Sequence, residues 1–217
     1  MIRPALAPQQ IISAACEQDL LKYGDNFRGV GYTKSAAEAQ ERYALMLGVV
    51  REKMESVSLL DFGCGLGHLL DYLEQHPDDR HIHYSGLDIS RLYLDAARAR
   101  HPATDFVLMD VLESDDDLPE YDYAILNGVF NYRGAIAQAS MMEYWRRLTA
   151  VVFRHCRRGL AFNAMSTIVD WQRDDLFHLP FEQMASFIGG LSRHFVVRHD
   201  YGAREYTTYV YRTPTQL

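Results

Sequence analysis

The stretch Ser58–Leu73, SLLDFGCGLGHLLDYL, constrains the fold of this chain more than any other segment. A short apolar run ends at Asp61, and glycines follow at the alternate positions Gly63, Gly65 and Gly67, before apolar residues at helical spacing. This pattern predicts a buried strand, a tight turn and a helix. Glycine lets a turn adopt positive φ and lets a ligand approach the main chain, because no Cβ intervenes. The turn is therefore a candidate binding site.

The spacing of the glycines argues against a phosphate site. A dinucleotide-binding turn reads G-x-G-x-x-G, but here the third glycine comes one residue early and His68 takes its place. A phosphate loop would need Lys followed by Ser or Thr, and neither follows Gly67. Asp88 stands near the end of the next apolar run, YSGLDI, where a carboxylate can accept both hydroxyls of a ribose. The pattern predicts a nucleoside ligand without a pyrophosphate.

Four segments in order resemble the motif set of the class I S-adenosylmethionine-dependent methyltransferases: DFGCGLG, LDIS, MDVL and YDYAILNGVFNY. The resemblance covers about Ser58 to Phe162 in detail and the rest in outline. It implies an α/β, Rossmann-like fold with a seven-stranded, mostly parallel sheet of order 3-2-1-4-5-7-6, strand seven antiparallel, helices on both faces and an N-terminal helical lid. It also implies S-adenosylmethionine as the cofactor and S-adenosylhomocysteine as the product.

The resemblance assigns the cofactor site to these motifs and to the N-terminal extension. It places Asp110, Val111 and Leu112 beside the adenine, and an N-terminal lid over the ligand. The lid aromatics could equally pack the helices onto the domain, and Cys64 is interpreted as a small residue of the turn rather than a nucleophile, because no histidine partner can be assigned to it. The predicted cofactor residues are Tyr23, Phe27, Tyr32, Asp61, Gly63, Cys64, Gly65, Gly67, His68, Asp88, Ile89, Asp110, Val111, Leu112, Asn127 and Gly128.

A chain of 217 residues is long enough for one α/β domain and a small extension. Residues 1–56 are predicted to form the helical extension or lid, with helices over Gln9–Tyr23 and Ser35–Glu55. Residues 57–217 are predicted to form the methyltransferase domain as a single compact unit. Two apolar runs near the C-terminus, joined by YGARE, predict a hairpin that reverses the last strand.

The acceptor side should lie after the fourth and fifth predicted strands, because open α/β sheets bind ligands at the carboxyl ends of their parallel strands. Tyr121–Leu126 ends in NGVFNYR, and Gly159–Ala164 leads into a long acidic and aromatic connection. Asn131, Asp170 and His178 are the candidate catalytic residues, and His178 has a suitable intrinsic pKa range for a base. Asparagines also cap turns, and HLP is an ordinary loop sequence, so each candidate has a structural alternative.

The composition limits which partners and bound groups can be expected for this chain. The net charge of −7 and scattered basic residues argue against a nucleic-acid acceptor, and no apolar run approaches the length of a membrane span. The three cysteines are odd in number and lack C-x-x-C spacing, which predicts reduced thiols in a cytoplasmic protein. No metal site is predicted, since His81 and His83 lack a second ligand pair at a recognised spacing.

The favoured function is methyl transfer to a small-molecule acceptor, with O-methylation of a sugar or sugar-like metabolite as the first hypothesis. It follows from a loose similarity to bacterial small-molecule methyltransferases. An alcohol would benefit from a general base, whereas a neutral amine could react without one. An N-methyltransferase, a protein methyltransferase and a catalytically silent nucleoside-binding module are the alternatives, and formation of a homodimer is left open.

Overall fold

A computed structural model describes residues 6–26, 36–51, 55–76, 79 and 81–215. Phe27 and Tyr32, two of the predicted lid aromatics, lie outside the described residues. Within the described ranges no helix is both long enough and apolar enough to cross a bilayer.

A central sheet of eight strands organises the fold. The strands are β1 (Val57–Phe62), β2 (Ile82–Asp88), β3 (Phe106–Leu108), β4 (Tyr121–Leu126), β5 (Cys156–Ser166), β6 (His178–Leu179), β7 (His194–Arg198) and β8 (Glu205–Tyr211). The helices are α1 (Pro8–Tyr23), α2 (Ala36–Leu47), α3 (His68–Gln75), α4 (Arg91–Arg100), α5 (Gln138–Arg154) and α6 (Phe181–Leu191).

The strands lie in the order β3-β2-β1-β4-β5-β8-β7, and β6 pairs with β5. The pairs among β1 to β6 are parallel, whereas β8 runs antiparallel to both β5 and β7. If the two-residue β6 is set aside, this is the predicted order with the last strand reversed. The predicted fold is therefore confirmed, and β6 is an addition within the connection that was expected to be irregular.

Helix α2 ends earlier than the sequence pattern indicates. Its last residue is Leu47, not a position near Glu55, and the backbone turns at Gly48 so that Val49 becomes fully buried. The hydroxyl of Tyr209 lies 2.8 Å from the place that a Cβ on Gly48 would occupy. The glycine thus lets the end of α2 approach β8, and this long-range contact is invisible to a local pattern.

Helices cover both faces of the sheet, as buried parallel strands require. On one face, Trp145 of α5 packs edge-on against Phe162 of β5, with ring centroids 6.0 Å apart, and both side chains are fully buried. On the other face, Met46 of α2 belongs to the same cluster as Leu59 and Tyr123. The sheet is held between two apolar layers, so the ends of its strands keep a defined position for the functional site.

A pair of glycine substitutions tests this packing. A Cβ on Gly86 of β2 would lie 2.6 Å from Cδ1 of Phe106 and 2.9 Å from Sγ of Cys64. Gly86→Ala should therefore lower the free energy of unfolding by about 1–3 kcal/mol through overpacking. Urea unfolding monitored by fluorescence measures the change.

The matched control is Gly189→Ala in α6, where a new Cβ meets nothing within 4 Å. It should raise the free energy of unfolding by up to about 1 kcal/mol, because alanine favours the helix more than glycine does. Equal effects from the two substitutions would contradict the tight packing assigned to Gly86.

Candidate functional site

The glycine turn between β1 and α3 forms part of the wall of a cavity of about 710 Å³. Gly63 and Gly65 line it with φ values of 73° and 54°, in the left-handed region that glycine adopts readily. A Cβ on Gly63 would lie 2.9 Å from Cγ2 of Val129. The glycines are therefore required by the local backbone, and they leave main chain facing the cavity.

Most of the predicted cofactor residues line this cavity. They are Asp61, Gly63, Cys64, Gly65, His68, Asp88, Ile89, Asp110, Val111, Leu112, Asn127 and Gly128. Strands β2, β1 and β4 are neighbours in the sheet, so the segments that follow them meet at one edge.

Two described residues of the predicted cofactor set do not line the cavity. Gly67 is the N-cap of α3 and is buried, with its space limited by the ring of Phe106. Tyr23 is 39% exposed at the end of α1. Tyr23 thus does not line the cavity, whereas other residues of the same helix do.

Asp88 has a carboxylate that is fixed from both sides by main-chain donors. The N–H of Gly65 donates to its Oδ2 at 2.9 Å, and the N–H of Ser90 donates to its Oδ1 at 2.8 Å. Burial raises the pKa of Asp88, and these hydrogen bonds partly oppose that rise. The two oxygens together offer about four acceptor positions, more than these main-chain donors occupy. The arrangement can accept hydroxyl groups from a ligand, as predicted for a ribose.

Asp61 is a second buried carboxyl in the same wall, with 5% of its surface exposed. Burial raises its pKa to about 7, the charge of Asp88 adds to the rise, and a hydrogen bond of 2.9 Å from the hydroxyl of Tyr84 opposes it. The ionised form of Asp61 would be favoured by a cation in the cavity.

Cys64 is not a nucleophile in this arrangement. Burial raises the pKa of its thiol well above the usual range, and the carboxylates of Asp61 and Asp88 raise it further. A thiol held neutral is a poor nucleophile, which agrees with its interpretation as a small residue of the turn.

Helix α1, which lies in the predicted lid segment, supplies a wall of the cavity through residues that the sequence reasoning did not single out. Its residues Gln9, Ile12, Ser13, Ala15, Cys16, Gln18 and Asp19 line the cavity. The side chain of Gln9 donates to Oδ2 of Asp110 at 2.9 Å, while Oδ1 of Asp110 accepts from the N–H of Leu112 at 3.0 Å. The hydroxyl of Tyr93 donates to the carbonyl of Cys16 at 2.9 Å. No residue of α1 is fully buried: Ile11 and Ile12 pack partly buried against the main core, and polar contacts join the helix to the cavity loops.

The far end of the cavity contains the predicted residue Asn131, together with Tyr132, Arg173, Asp175 and Leu176. An isolated bridge between Tyr132 and Leu176 joins the segment after β4 to the connection between β5 and β6. Two connections from neighbouring strands therefore form this end of the cavity.

The structure does not bring the other two predicted catalytic residues to the cavity. His178 lies in β6 and is 7% exposed; its Nδ1 donates to the carbonyl of Ser166 at 2.7 Å and its Nε2 accepts from the N–H of Arg173 at 3.4 Å. Asp170 is exposed and forms a two-bond ion pair with Arg204, at 2.7 and 2.9 Å. Strand pairing buries His178, so the geometry supports a structural role for it and a surface role for Asp170.

Three side chains with metal-ligating atoms lie together outside the cavity: Asp71, Glu74 and His101. The guanidinium of Arg100 already lies 3.0 Å from the carboxylate of Asp71, and Nε2 of His101 lies 3.0 Å from the same carboxylate. These contacts account for the cluster, and we assign no metal ion to it.

Replacing Asp61 by Asn should make stability less dependent on pH. The folded pKa of about 7 exceeds the unfolded value of about 3.9, so the folded protein keeps a proton that the unfolded chain has lost. Asp61 therefore lowers stability progressively as pH rises between these values, and that loss is complete above the folded pKa. An asparagine does not titrate and can still accept from Tyr84. At pH 8 the ligand-free Asp61→Asn variant should have a higher Tm than the parent.

At pH 5 the difference in Tm should be smaller. The control is Asp105→Asn, which removes an exposed carboxylate and should show no comparable pH dependence. A difference for Asp61→Asn that is the same at both pH values would contradict a raised pKa at this position.

Comparisons with known proteins agree with this geometry. Residues 60–160 match the family model described as a methyltransferase domain. The curated protein "Putative methyltransferase Rv1506c" of Mycobacterium tuberculosis is 29% identical over 159 residues, which cover 70% of this chain and 92% of that protein.

Solved methyltransferase structures share the fold. Magnesium protoporphyrin IX methyltransferase (ChlM) from Synechocystis PCC 6803, with bound SAM, has a TM-score of 0.67 at 13% identity, and the match covers 98% of this chain and 100% of that one. The plantazolicin methyltransferase BpumL, in complex with a pentazolic desmethylPZN analog and SAH, has a TM-score of 0.60 at 12% identity, covering 94% and 96%. The predicted fold and enzyme class are confirmed. Residues 60–160 match a methyltransferase domain, and the chain has the fold of these S-adenosylmethionine-dependent methyltransferase structures.

Proposed function

We propose that this chain transfers a methyl group from S-adenosylmethionine to a small-molecule acceptor. The observation that carries the proposal is a single cavity that joins the glycine turn, the fixed carboxylate of Asp88 and the acidic residue Asp110 to a polar end around Asn131. Its volume, about 710 Å³, lies in the range of small-ligand pockets, about 300–1,000 Å³.

The cofactor end has the donors and acceptors that an adenosine needs. Asp88 would accept from the ribose hydroxyls, and Asp110 with Val111 and Leu112 would border the adenine. The carboxyls of Asp61 and Asp88 make this end suited to a cation. When bound, the cofactor supplies a methyl group on a positively charged sulfur, and the nucleophilic atom of the acceptor gains that methyl and releases a proton. The chain contributes alignment of the two reactants and exclusion of water.

The first candidate acceptor is a sugar or a sugar-like metabolite, methylated on oxygen. Amide, phenol, guanidinium and carboxylate groups from Asn131, Tyr132, Arg173 and Asp175 line the far end of the cavity. Such groups can hydrogen-bond to several hydroxyls of one ligand. By their names, the neighbouring structures act on a magnesium protoporphyrin and on plantazolicin. Those names support a small-molecule acceptor.

A specific observation favours an amine as the second candidate. His178 and Asp170 do not line the cavity, and Asp175 pairs with Arg173, whose guanidinium lies 2.9 Å from Oδ1 and lowers the pKa of the carboxyl. A carboxylate with a lowered pKa is a weak base. A neutral amine reacts without a general base, whereas an alcohol benefits from one.

The cofactor site is tested by replacing Asp88 with Ala. The loss of charge-assisted hydrogen bonds, about 1.5–3 kcal/mol, should weaken S-adenosylhomocysteine binding tenfold or more in titration calorimetry. Asp95→Ala is the matched control, because Asp95 is exposed on α4 and pairs with Arg98. A melting curve verifies that each variant is folded. Unchanged affinity in folded Asp88→Ala would remove Asp88 from the site.

The acceptor class is tested with methyl-labelled S-adenosylmethionine and a bacterial extract divided into small metabolites and macromolecules. Label should appear in the small-metabolite fraction, and mass spectrometry distinguishes a methyl ether from a methylamine. Label in protein would instead identify a protein methyltransferase. Binding of S-adenosylhomocysteine without labelling of either fraction would identify a silent module.

A further inference from the structure

We propose that Asn131 positions the acceptor by accepting a hydrogen bond from its O–H or N–H group, and that the buried residue Glu205 orients the Asn131 amide for this task. This inference rests on the proposed function and adds the chemical class of the acceptor. Glu205 has no place in the sequence motifs that identify the cofactor site.

The orientation of the Asn131 amide follows from its partner. Nδ2 of Asn131 donates to Oε2 of Glu205 at 3.1 Å. A carboxylate can only accept hydrogen bonds, so the amide nitrogen must face Glu205 and the amide oxygen must face away. Glu205 therefore sets the rotamer of the Asn131 amide.

The amide oxygen of Asn131 is the atom that needs a partner. Oδ1 is buried and, among the described residues, has no hydrogen-bond partner, although Asn131 lines the cavity. A buried acceptor without a donor is unfavourable, and such atoms in folded proteins require an explanation. An O–H or N–H group that reaches this end of the cavity would supply the missing donor.

Glu205 is itself held from the opposite side. It is 1% exposed at the start of β8, and Nε of Arg42 lies 3.2 Å from its Oε1, within ion-pair distance but without hydrogen-bond alignment. Arg42 also pairs with Glu38 along α2 at 3.2 Å. Linked ion pairs of this kind contribute little to net stability, but they can hold the Glu205 side chain in one orientation. They link α2 to the cavity through β8 and the segment after β4.

The arrangement selects an acceptor class. A hydroxyl or an amine that carries hydrogen gains a bond to Oδ1 of Asn131, whereas a tertiary amine or a thioether offers no donor. An amide oxygen is not a base, so Asn131 is a positioning residue that aligns the acceptor. Glu205 acts through Asn131 and is also a positioning residue.

Kinetics on the labelled small-metabolite fraction test the role of Asn131. Asn131→Ala should lower kcat/KM for the acceptor about tenfold or more, while the Kd for S-adenosylhomocysteine changes less than about twofold. Glu205→Ala should act in the same direction, and Glu205→Gln, whose amide oxygen can still accept from Nδ2, should restore kcat/KM to within about threefold of the parent.

The matched control is Tyr206→Phe. It removes a buried hydroxyl at the next position of β8, whose hydrogen bond to the carbonyl of Leu179 at 3.0 Å stays outside the cavity. This variant should keep the kcat/KM of the parent. Unchanged kcat/KM in Asn131→Ala, with methyl transfer intact in the parent, would overturn the inference and leave the proposed function standing.

A spectroscopic readout is independent of any acceptor. In ¹⁵N-labelled protein saturated with S-adenosylhomocysteine, the side-chain NH₂ signal that disappears in Asn131→Ala is assigned to Asn131. That signal should move in both Glu205→Ala and Glu205→Gln, and should keep its position in Tyr206→Phe. An unmoved signal in the Glu205 variants would refute the orientation of Asn131, whereas failure of the parent to bind S-adenosylhomocysteine would refute the proposed function instead.

Discussion

The carboxylate of Asp88 holds together the segments on which the cavity depends. It accepts from the N–H of Gly65 in the turn after β1 and from the N–H of Ser90 before α4. Parallel pairing of β1 with β2 brings these segments side by side, since Phe62 lies opposite Leu87. Burial of the carboxylate costs free energy and raises its pKa. The main-chain N–H donors offset part of that cost and oppose the rise of the pKa. The ligand site is thus built from the same hydrogen bonds that join two strand ends.

The wall formed by α1 combines apolar packing of Ile11 and Ile12 with polar contacts to the cavity loops. Helix α1 has no buried residue and reaches the cavity loops through Gln9 and the carbonyl of Cys16. Asp110, the partner of Gln9, is also a predicted adenine neighbour. The hydrogen bond from Gln9 therefore joins α1 to a loop that is predicted to border the adenine.

Strand pairing decides which of the candidate catalytic side chains line the cavity. Strand β6 pairs with β5 and places His178 inside the fold, with both ring nitrogens in hydrogen bonds. Asn131, on the segment after β4, stays at the cavity and is held by Glu205 of β8. The side chains that can meet an acceptor are therefore amide, phenol and ion-paired groups. Such groups orient a reactant more readily than they remove its proton.

Local patterns in the sequence were sufficient for the glycine turn, because strand–turn–helix periodicity and the need for glycine at positive φ are short-range effects. The sheet order and most of the predicted cofactor residues followed from the resemblance to a family, and the sheet order is confirmed. Local patterns did not identify the residues of α1 that line the cavity, because the apolar residues of this helix do not form a one-sided stripe. They also misplaced His178, since a two-residue strand has no periodicity, and they missed Glu205, which looks like an ordinary strand residue. Only the tertiary structure decided which buried polar groups meet, because Asn131, Glu205 and Arg42 come from segments far apart in the chain and are joined by sheet pairing and helix packing.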